Sequence, residues 1–124
     1  EAIDRLFAPD TLEGILAALE ADGGEWAQKE RATLATKSPR TCKLVLRQLA
    51  LGGAARTFAE NMAMEYRAAG RTVLLPDFAE GVRALLVDKT NDPHWQPATP
   101  EGVSEAMVDA VFAPLPAGQE WKPL

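Results

Sequence analysis

"DFAEGVRALLVDKTNDPHWQP", residues 77–97, joins a helical pattern to an aromatic segment with widely spaced prolines. Asp77 and Glu80 have the spacing of a capping box, which predicts the start of a helix. Apolar side chains then recur at the spacing of one helix face, at Phe78, Val82, Leu85 and Leu86. Prolines and polar residues predict an ordered loop over 90–100, held in place by Trp95. We therefore expect an amphipathic helix and a loop that both dock on neighbouring structure.

The same kind of pattern predicts further helices on both sides of this stretch. They cover Thr11–Ala21, Glu25–Thr36, a segment from Ser38-Pro39 to Gly52-Gly53, a long segment from Thr57 to Pro76, and one that begins near Thr99 or Ser104. Asp10 with Glu13, and Thr57 with Glu60, have capping-box spacing. No segment alternates as a strand does. We predict an all-α fold of five or six helices, with a helical domain over residues 1–113 and a C-terminal tail over 114–124.

Helical periodicity also predicts which side chains are buried. The expected stripes are Cys42, Val45, Leu46 and Leu49 in the third helix, Phe58, Met62, Tyr66, Ala69 and Val73 in the fourth, and Val103, Met107, Val111 and Phe112 in the last. Basic residues lie opposite the stripe of the third helix, at Arg40, Lys43 and Arg47. Because such residues are usually solvated, we expect them to be hydrated or salt-bridged rather than to form a phosphate site.

Composition and charge exclude several classes of protein. Apolar residues make up 47% and charged residues 25% of the 124 residues, as in an ordinary folded domain. The net charge of −5 argues against nucleic-acid binding, because the chain would repel a phosphate backbone. No apolar run has the ~20 residues that a membrane-spanning helix needs. Cys42 is the single cysteine, so an intramolecular disulfide is impossible, and we expect a reducing, cytoplasmic location.

The candidate chemical groups do not form a catalytic centre. His94 and Cys42 are the only residues of their types, so the sequence offers neither a zinc site nor a Cys-His pair. Glu60 and Glu80 are interpreted as capping residues rather than as an acid–base pair. We therefore predict no catalytic residue, no metal ligand and no cofactor in this segment.

Four motifs in order resemble the C-terminal part of 3-hydroxyisobutyryl-CoA hydrolases, which belong to the enoyl-CoA hydratase/isomerase (crotonase) superfamily. They are "SPRTCKLVLRQL" (38–49), "MEYR" (64–67), "DFAEGVRALLVDK" (77–89) and "PHWQP" (93–97). The resemblance extends over nearly the whole chain, including "DTLEGILAALE" (10–20). It implies the C-terminal helical region of an acyl-CoA hydrolase of valine breakdown, without the upstream core that carries the oxyanion hole and the catalytic carboxylates.

In this superfamily the C-terminal helices pack on the core, contribute to oligomer contacts and can border the coenzyme A site. The resemblance therefore makes the basic residues of these motifs candidates for bordering coenzyme A: Lys43, Arg47, Arg83 and Lys89. In related hydratases an aromatic residue and a lysine of the helix containing residues 77–89 approach the adenine. Here Leu85 replaces the aromatic residue, and Lys89 is one residue out of register.

Two other functions are compatible with the sequence. One is the tail of an enoyl-CoA hydratase or isomerase; the other is a free-standing helical interaction module. The chain starts at Glu1-Ala2-Ile3 with an immediate helical pattern, so we expect it to be part of a longer protein. The expected partners are the missing N-terminal core, the acyl-CoA substrate of the intact protein and a second copy of the chain. The predicted self-association involves surplus apolar residues: Leu44, Leu51, Leu74, Leu75, Trp26 and Trp95.

Overall fold

A computed structural model describes residues 1–123, and this part of the chain is helical without a strand. The seven α-helices are α1 (Ala2–Leu6), α2 (Leu12–Asp22), α3 (Glu25–Ala35), α4 (Pro39–Ala54), α5 (Phe58–Thr72), α6 (Pro76–Val82) and α7 (Glu105–Phe112). A π-helical turn, Arg83–Val87, follows α6, and a 3-10 turn, Pro100–Gly102, precedes α7. The all-α prediction is confirmed. All six predicted helices are present, and the short α1 precedes them.

Side-chain caps begin four of the helices. The hydroxyl of Ser38 accepts a hydrogen bond from the backbone N–H of Thr41 at 3.1 Å, and Thr57 and Ser104 cap α5 and α7 in the same way. In α2 the cap is Thr11, which accepts from Gly14 N at 3.1 Å, so the prediction of Asp10 was wrong by one residue. The reason is local: Thr11 has the extended backbone of an N-cap, and its hydroxyl reaches the first turn.

Two clusters of buried side chains form the core. The first, around α2 and α3, consists of Leu6, Ile15, Leu19 and Ala27. The second joins α4, α5 and α7 through Leu44, Ala68, Val103, Val108 and Val111. Leu75 and Phe112 are partly buried against this second cluster. Helix α4 connects the two clusters, because Leu46 packs on the first and Leu44 belongs to the second.

The buried face of two helices differs from the predicted stripe. In α4, Val45 and Leu49 are exposed and Leu44 is buried. In α5, Phe58 and Tyr66 are exposed, whereas the buried residues are Met64 and Ala68. Both helices carry apolar side chains on more than one face, so periodicity within the helix does not identify the face that packs inward. Contact with α7 decides it, because α7 packs against both helices.

Three smaller expectations also need correction. Helix α6 begins at Pro76 after Leu75, so Asp77 lies inside its first turn and does not cap it. Helix α4 continues through the two glycines to Ala54. In the last helix Met107 is exposed, and Val108 is buried in its place.

The described part of the predicted tail lies against α5. Arg67 Nε donates to the Glu120 carboxylate at 2.8 Å, and the same carboxylate accepts from Leu115 N at 2.8 Å. Arg71 donates to the backbone carbonyls of Val111, Ala113 and Pro114. These contacts hold the end of α7 and the segment after it against α5. Leu124, the last residue of the predicted tail, lies outside the described residues.

Candidate functional site

The first two candidate site residues, Lys43 and Arg47, are held in ion pairs on α4. Lys43 Nζ lies 2.6 Å from Glu13 Oε1 and donates to the Val103 carbonyl at 3.2 Å. Its side chain is only 13% exposed. Arg47 binds Glu105 at 2.8 Å and Asp109 at 2.6 Å. The expected salt bridging is confirmed for Lys43 and Arg47, which join α4 to α2 and α7. Arg40 forms no ion pair within residues 1–123, and its Nε is buried without a hydrogen-bond partner.

The other two candidates follow α6: Arg83 begins the π-helical turn, and Lys89 lies two residues after that turn. Arg83 binds Glu80 at 2.7 Å and Asp88 at 2.6 Å, and both carboxylates raise its pKa. Lys89 is exposed and has a left-handed backbone with φ 55°. No carboxylate of residues 1–123 lies within ion-pair distance of Lys89. Lys89 thus differs from the other three candidates, whose charges are already paired.

The four candidates do not converge on one cavity. Lys43 and Arg47 line a small cavity of about 120 Å³ together with Glu13 and Glu105. Arg83 lines a separate open cleft of about 720 Å³ at α6. Acidic side chains are prominent in both linings, including Asp77, Glu80 and Asp92 in the cleft at α6.

A buried carboxylate that sequence reasoning missed lies at the edge of this cleft. Asp77 is 6% exposed, and no lysine or arginine of residues 1–123 forms an ion pair with it. Its Oδ2 accepts from the hydroxyl of Ser38, which is itself buried, and its Oδ1 accepts from Gln96 N at 2.8 Å. Asp77 therefore ties the start of α6 to the start of α4 and to the loop after α6. The available signal was that two of the family-like motifs begin at Ser38 and Asp77.

Glu80 is the second polar anchor of this region. Its carboxylate accepts from both Arg83 Nε and Nη2, at 2.8 and 2.7 Å, and from His94 N at 2.7 Å. These bonds, the one to Arg83 foremost, lower the pKa of Glu80 to about 2. Glu80 thus holds the loop at His94 instead of completing a capping box with Asp77.

Trp95 holds the loop as the sequence predicts. Its indole Nε1 donates to the Thr36 carbonyl at 2.9 Å. Its ring lies so close to Gly81 that a Cβ there would be 3.3 Å from the indole edge. The absence of a side chain at Gly81 therefore lets the indole lie directly on α6.

The apolar face predicted for α6 is exposed to solvent. We call it the apolar ridge: Phe78, Val82, Leu85, Leu86 and Val87, all large apolar residues that remain exposed. Leu86 and Val87 are 68% and 69% exposed. Ala84, on the other side of the same segment, is fully buried. The expected docking face therefore exists, but residues 1–123 do not cover it.

The surroundings of Cys42 disfavour a reactive thiol. Cys42 is half-buried, and burial raises the pKa of its thiol, which disfavours the reactive thiolate. No group of three or more His, Cys, Asp or Glu side chains within residues 1–123 could hold a metal ion. None of the helices in this range has the length and apolar character needed to span a bilayer.

Comparison with known proteins shows to which family the chain belongs. The profile of the enoyl-CoA hydratase/isomerase family matches residues 1–112. The chain belongs to this family. It is 45% identical over 115 residues to a mitochondrial 3-hydroxyisobutyryl-CoA hydrolase of Danio rerio, and 36% identical over 115 residues to that of Homo sapiens. Each match covers 93% of the chain and 30% of the relative.

Two solved structures share the helical arrangement. A carnitinyl-CoA dehydratase from Mycobacterium thermoresistibile superposes with a TM-score of 0.87 at 33% identity, covering 96% of the chain and 33% of that structure. An enoyl-CoA hydratase from Rhodobacter sphaeroides 2.4.1 superposes with a TM-score of 0.82 at 37% identity, covering 91% and 33%. The chain therefore spans about a third of the length of these proteins.

One expectation is contradicted by these comparisons. The curated hydrolases from Danio rerio, Dictyostelium discoideum and Homo sapiens are all named as mitochondrial, which points away from the predicted cytoplasmic location. A single cysteine was a poor guide to the compartment. It excludes an intramolecular disulfide, but it does not distinguish one reducing compartment from another.

Proposed function

We propose that the chain is the C-terminal helical region of an acyl-CoA thioester hydrolase that acts on 3-hydroxyisobutyryl-CoA in valine breakdown. The observation that carries the proposal is the identity of 45% and 36% with curated relatives of this one name, over almost the whole chain. The order of the four motifs supports it. The activity belongs to the intact protein, because the chain spans about a third of these relatives.

The role proposed for the helical region is to pack on the upstream core, to contribute to oligomer contacts and to border coenzyme A. Coenzyme A is anionic, so an unpaired cation suits it. Lys89 is therefore the strongest of the four candidates. Lys43, Arg47 and Arg83 would each have to give up a carboxylate partner to bind a phosphate. The chemistry itself is assigned to the upstream part.

The test is an assay of the protein encoded by the intact gene. Purified protein is given 3-hydroxyisobutyryl-CoA, and free thiol is measured as coenzyme A is released; hydration of an enoyl-CoA is measured in parallel. We expect thiol release and little hydration. The separate 124-residue chain should release none, because the proposal assigns the nucleophile, the base and the oxyanion hole to the upstream part. Hydration without thiol release by the intact protein would overturn the proposal.

The second candidate is an enoyl-CoA hydratase or dehydratase with hydrolase-like C-terminal motifs. It is supported by the solved structures, which carry hydratase and dehydratase names at 37% and 33% identity. The same assay separates the two activities, since hydrolysis yields a free thiol and hydration does not. The carboxylates that follow the oxyanion-hole segment upstream would provide an independent distinction.

A further inference from the structure

One cation of α4 faces a sulfur atom where its neighbours face carboxylates. Lys43 and Arg47 are both held in ion pairs. Arg40 lies two helical turns before Arg47, on the side of α4 that meets α7, and no carboxylate of residues 1–123 pairs with it. Its Nη2 instead donates to Met107 Sδ at 3.9 Å. A thioether sulfur is a weak acceptor, so the guanidinium is poorly satisfied.

The neighbouring nitrogen of the same guanidinium has no partner. Arg40 Nε is buried, and no acceptor of residues 1–123 reaches it. Buried polar atoms are nearly always hydrogen-bonded, so this exception needs an explanation. Nε and Nη2 of Arg83 together bind the carboxylate of Glu80, at 2.8 and 2.7 Å. In Arg40 the same two nitrogens lack an acceptor oxygen, and the nearest polar atom on α7 is the sulfur of Met107.

Met107 is accessible to a reagent that would supply this oxygen. Its side chain is 39% exposed, whereas Met64 is 8% exposed. In the reaction with hydrogen peroxide, a sulfur lone pair attacks one peroxide oxygen and the O–O bond breaks. A proton moves to the departing oxygen, which leaves as water. The thioether is oxidised to a sulfoxide, and the peroxide is reduced.

We propose that Met107 is a reversible oxidation site whose sulfoxide oxygen accepts hydrogen bonds from Nε and Nη2 of Arg40. Sulfoxide formation generally disrupts apolar contacts, because it converts an apolar side chain into a polar one. Here the new oxygen lies beside a cation that lacks an acceptor, and a hydrogen bond from a charged donor is strong. Oxidation therefore tightens the contact between α4 and α7. Methionine sulfoxide reductases restore the thioether.

The first measurement is the rate of oxidation in the intact protein. The protein is treated with dilute hydrogen peroxide, samples are taken over time, and the sulfoxide at each methionine is quantified by peptide mass spectrometry. We expect Met107 to be oxidised several times faster than Met64, the buried methionine of α5. Oxidation of Met107 no faster than that of Met64 would overturn the proposal, because it would show that the sulfur is inaccessible in the intact protein.

The second measurement tests the bond to Arg40 without an oxidant. Met107→Gln places a carbonyl oxygen near the position of the sulfoxide oxygen, and Met107→Leu is the matched control without an acceptor. Hydrogen exchange of the peptide that covers residues 104–112 is followed by mass spectrometry in the intact protein. We expect the exchange to be several-fold slower in the Gln variant than in the Leu variant. Introducing Arg40→Leu into both should abolish this difference.

Two results of the exchange experiment would contradict the proposal. Equal exchange in the two variants of Met107 would show that an oxygen at this position gains no hydrogen bond. A slowing that persists with Arg40→Leu would show that the oxygen acts through another group. Both measurements are independent of turnover, so they test this site whether or not the intact protein hydrolyses the proposed substrate.

Discussion

The hydroxyl of Ser38 donates a hydrogen bond to the carboxylate of Asp77, 39 positions later in the chain. Both residues are buried. Ser38 also caps α4 by accepting from Thr41 N, so one side chain serves two elements. Asp77 in turn accepts from Gln96 N. This relay joins the N-terminal ends of α4 and α6 to the loop that carries Trp95.

Removing the Ser38 hydroxyl should therefore lower the free energy of unfolding by more than the removal of an ordinary cap does. Ser38→Ala loses the cap, worth about 1 kcal/mol, and leaves a buried carboxylate short of a donor, which costs about 1–3 kcal/mol more. The matched control is Ser104→Ala, since Ser104 caps α7 and donates to no buried carboxylate within residues 1–123. Urea unfolding followed by circular dichroism measures the free energy of unfolding of both variants. Equal losses of unfolding free energy would contradict the relay.

Arg71 should be more important for stability than Arg56, which lies just before α5. It donates to three carbonyls at the end of α7 and just beyond it, at Val111, Ala113 and Pro114. Because bonds from a charged donor are strong, Arg71→Ala should lower the unfolding free energy by about 1.5–3 kcal/mol. The control is Arg56→Ala, whose exposed pair with Glu60 should contribute less than about 1 kcal/mol. Comparable urea midpoints for the two variants would refute this assignment.

Gly14 should not tolerate a side chain. A Cβ there would lie 2.8 Å from Pro9 Cβ and 2.9 Å from the capping oxygen of Thr11. We expect Gly14→Ala to destabilise the protein by about 1–3 kcal/mol through overpacking and damage to the cap. Gly70→Ala is the control, because a Cβ at that α5 position meets nothing within 4 Å and should stabilise the helix by about 0.5–1 kcal/mol. Thermal unfolding should move the two melting temperatures in opposite directions.

Glu80 should make stability depend on acid pH. The pKa of Glu80 is about 2 in the folded protein, whereas an ordinary glutamate has a pKa of 4.5, so folding favours the ionised carboxylate. The stabilisation is complete above the reference pKa and is lost as the pH falls through the range from about 5 to 2. Glu80→Gln should accordingly lower the melting temperature at pH 7, and the difference should shrink towards pH 3. Glu101→Gln, at an exposed glutamate, should show little change at either pH.

The separate 124-residue chain should self-associate. The structure revises which residues contribute, because Leu44 is buried and Leu75 is partly buried, whereas Leu74 and the apolar ridge are exposed. We expect the association to strengthen with added salt, which screens the repulsion between acidic chains. Analytical ultracentrifugation over a wide range of concentrations measures it, and Leu86→Lys should weaken it. A strictly monomeric chain would favour the free-standing interaction module instead.

Local signals in the sequence predicted six of the helices and the caps Ser38 and Thr57, whereas the predicted caps Asp10 and Asp77 were wrong. Ser38 before Pro39, Thr57 before Glu60, and Ser104 each act within one helical turn, so the cap depends on neighbours in sequence. The family motifs were also readable, and the match over residues 1–112 shows the family. The order of the helices therefore followed from the sequence alone, except for the short α1, the π-helical turn and the 3-10 turn.

Which face of a helix is buried was decided by the tertiary structure. Helices α4 and α5 each carry apolar side chains on several faces, and the approach of α7 buries Leu44 and Ala68 while Leu49 and Phe58 stay exposed. The roles of Asp77 and Glu80 were decided in the same way. These two carboxylates, although spaced for a local capping box, accept bonds from distant donors that folding brings to them. Asp77 accepts from Ser38 and Gln96, and Glu80 accepts from His94. Hydrogen-bond partners that are distant in sequence produce no periodic pattern of residues, so only the tertiary structure identifies them.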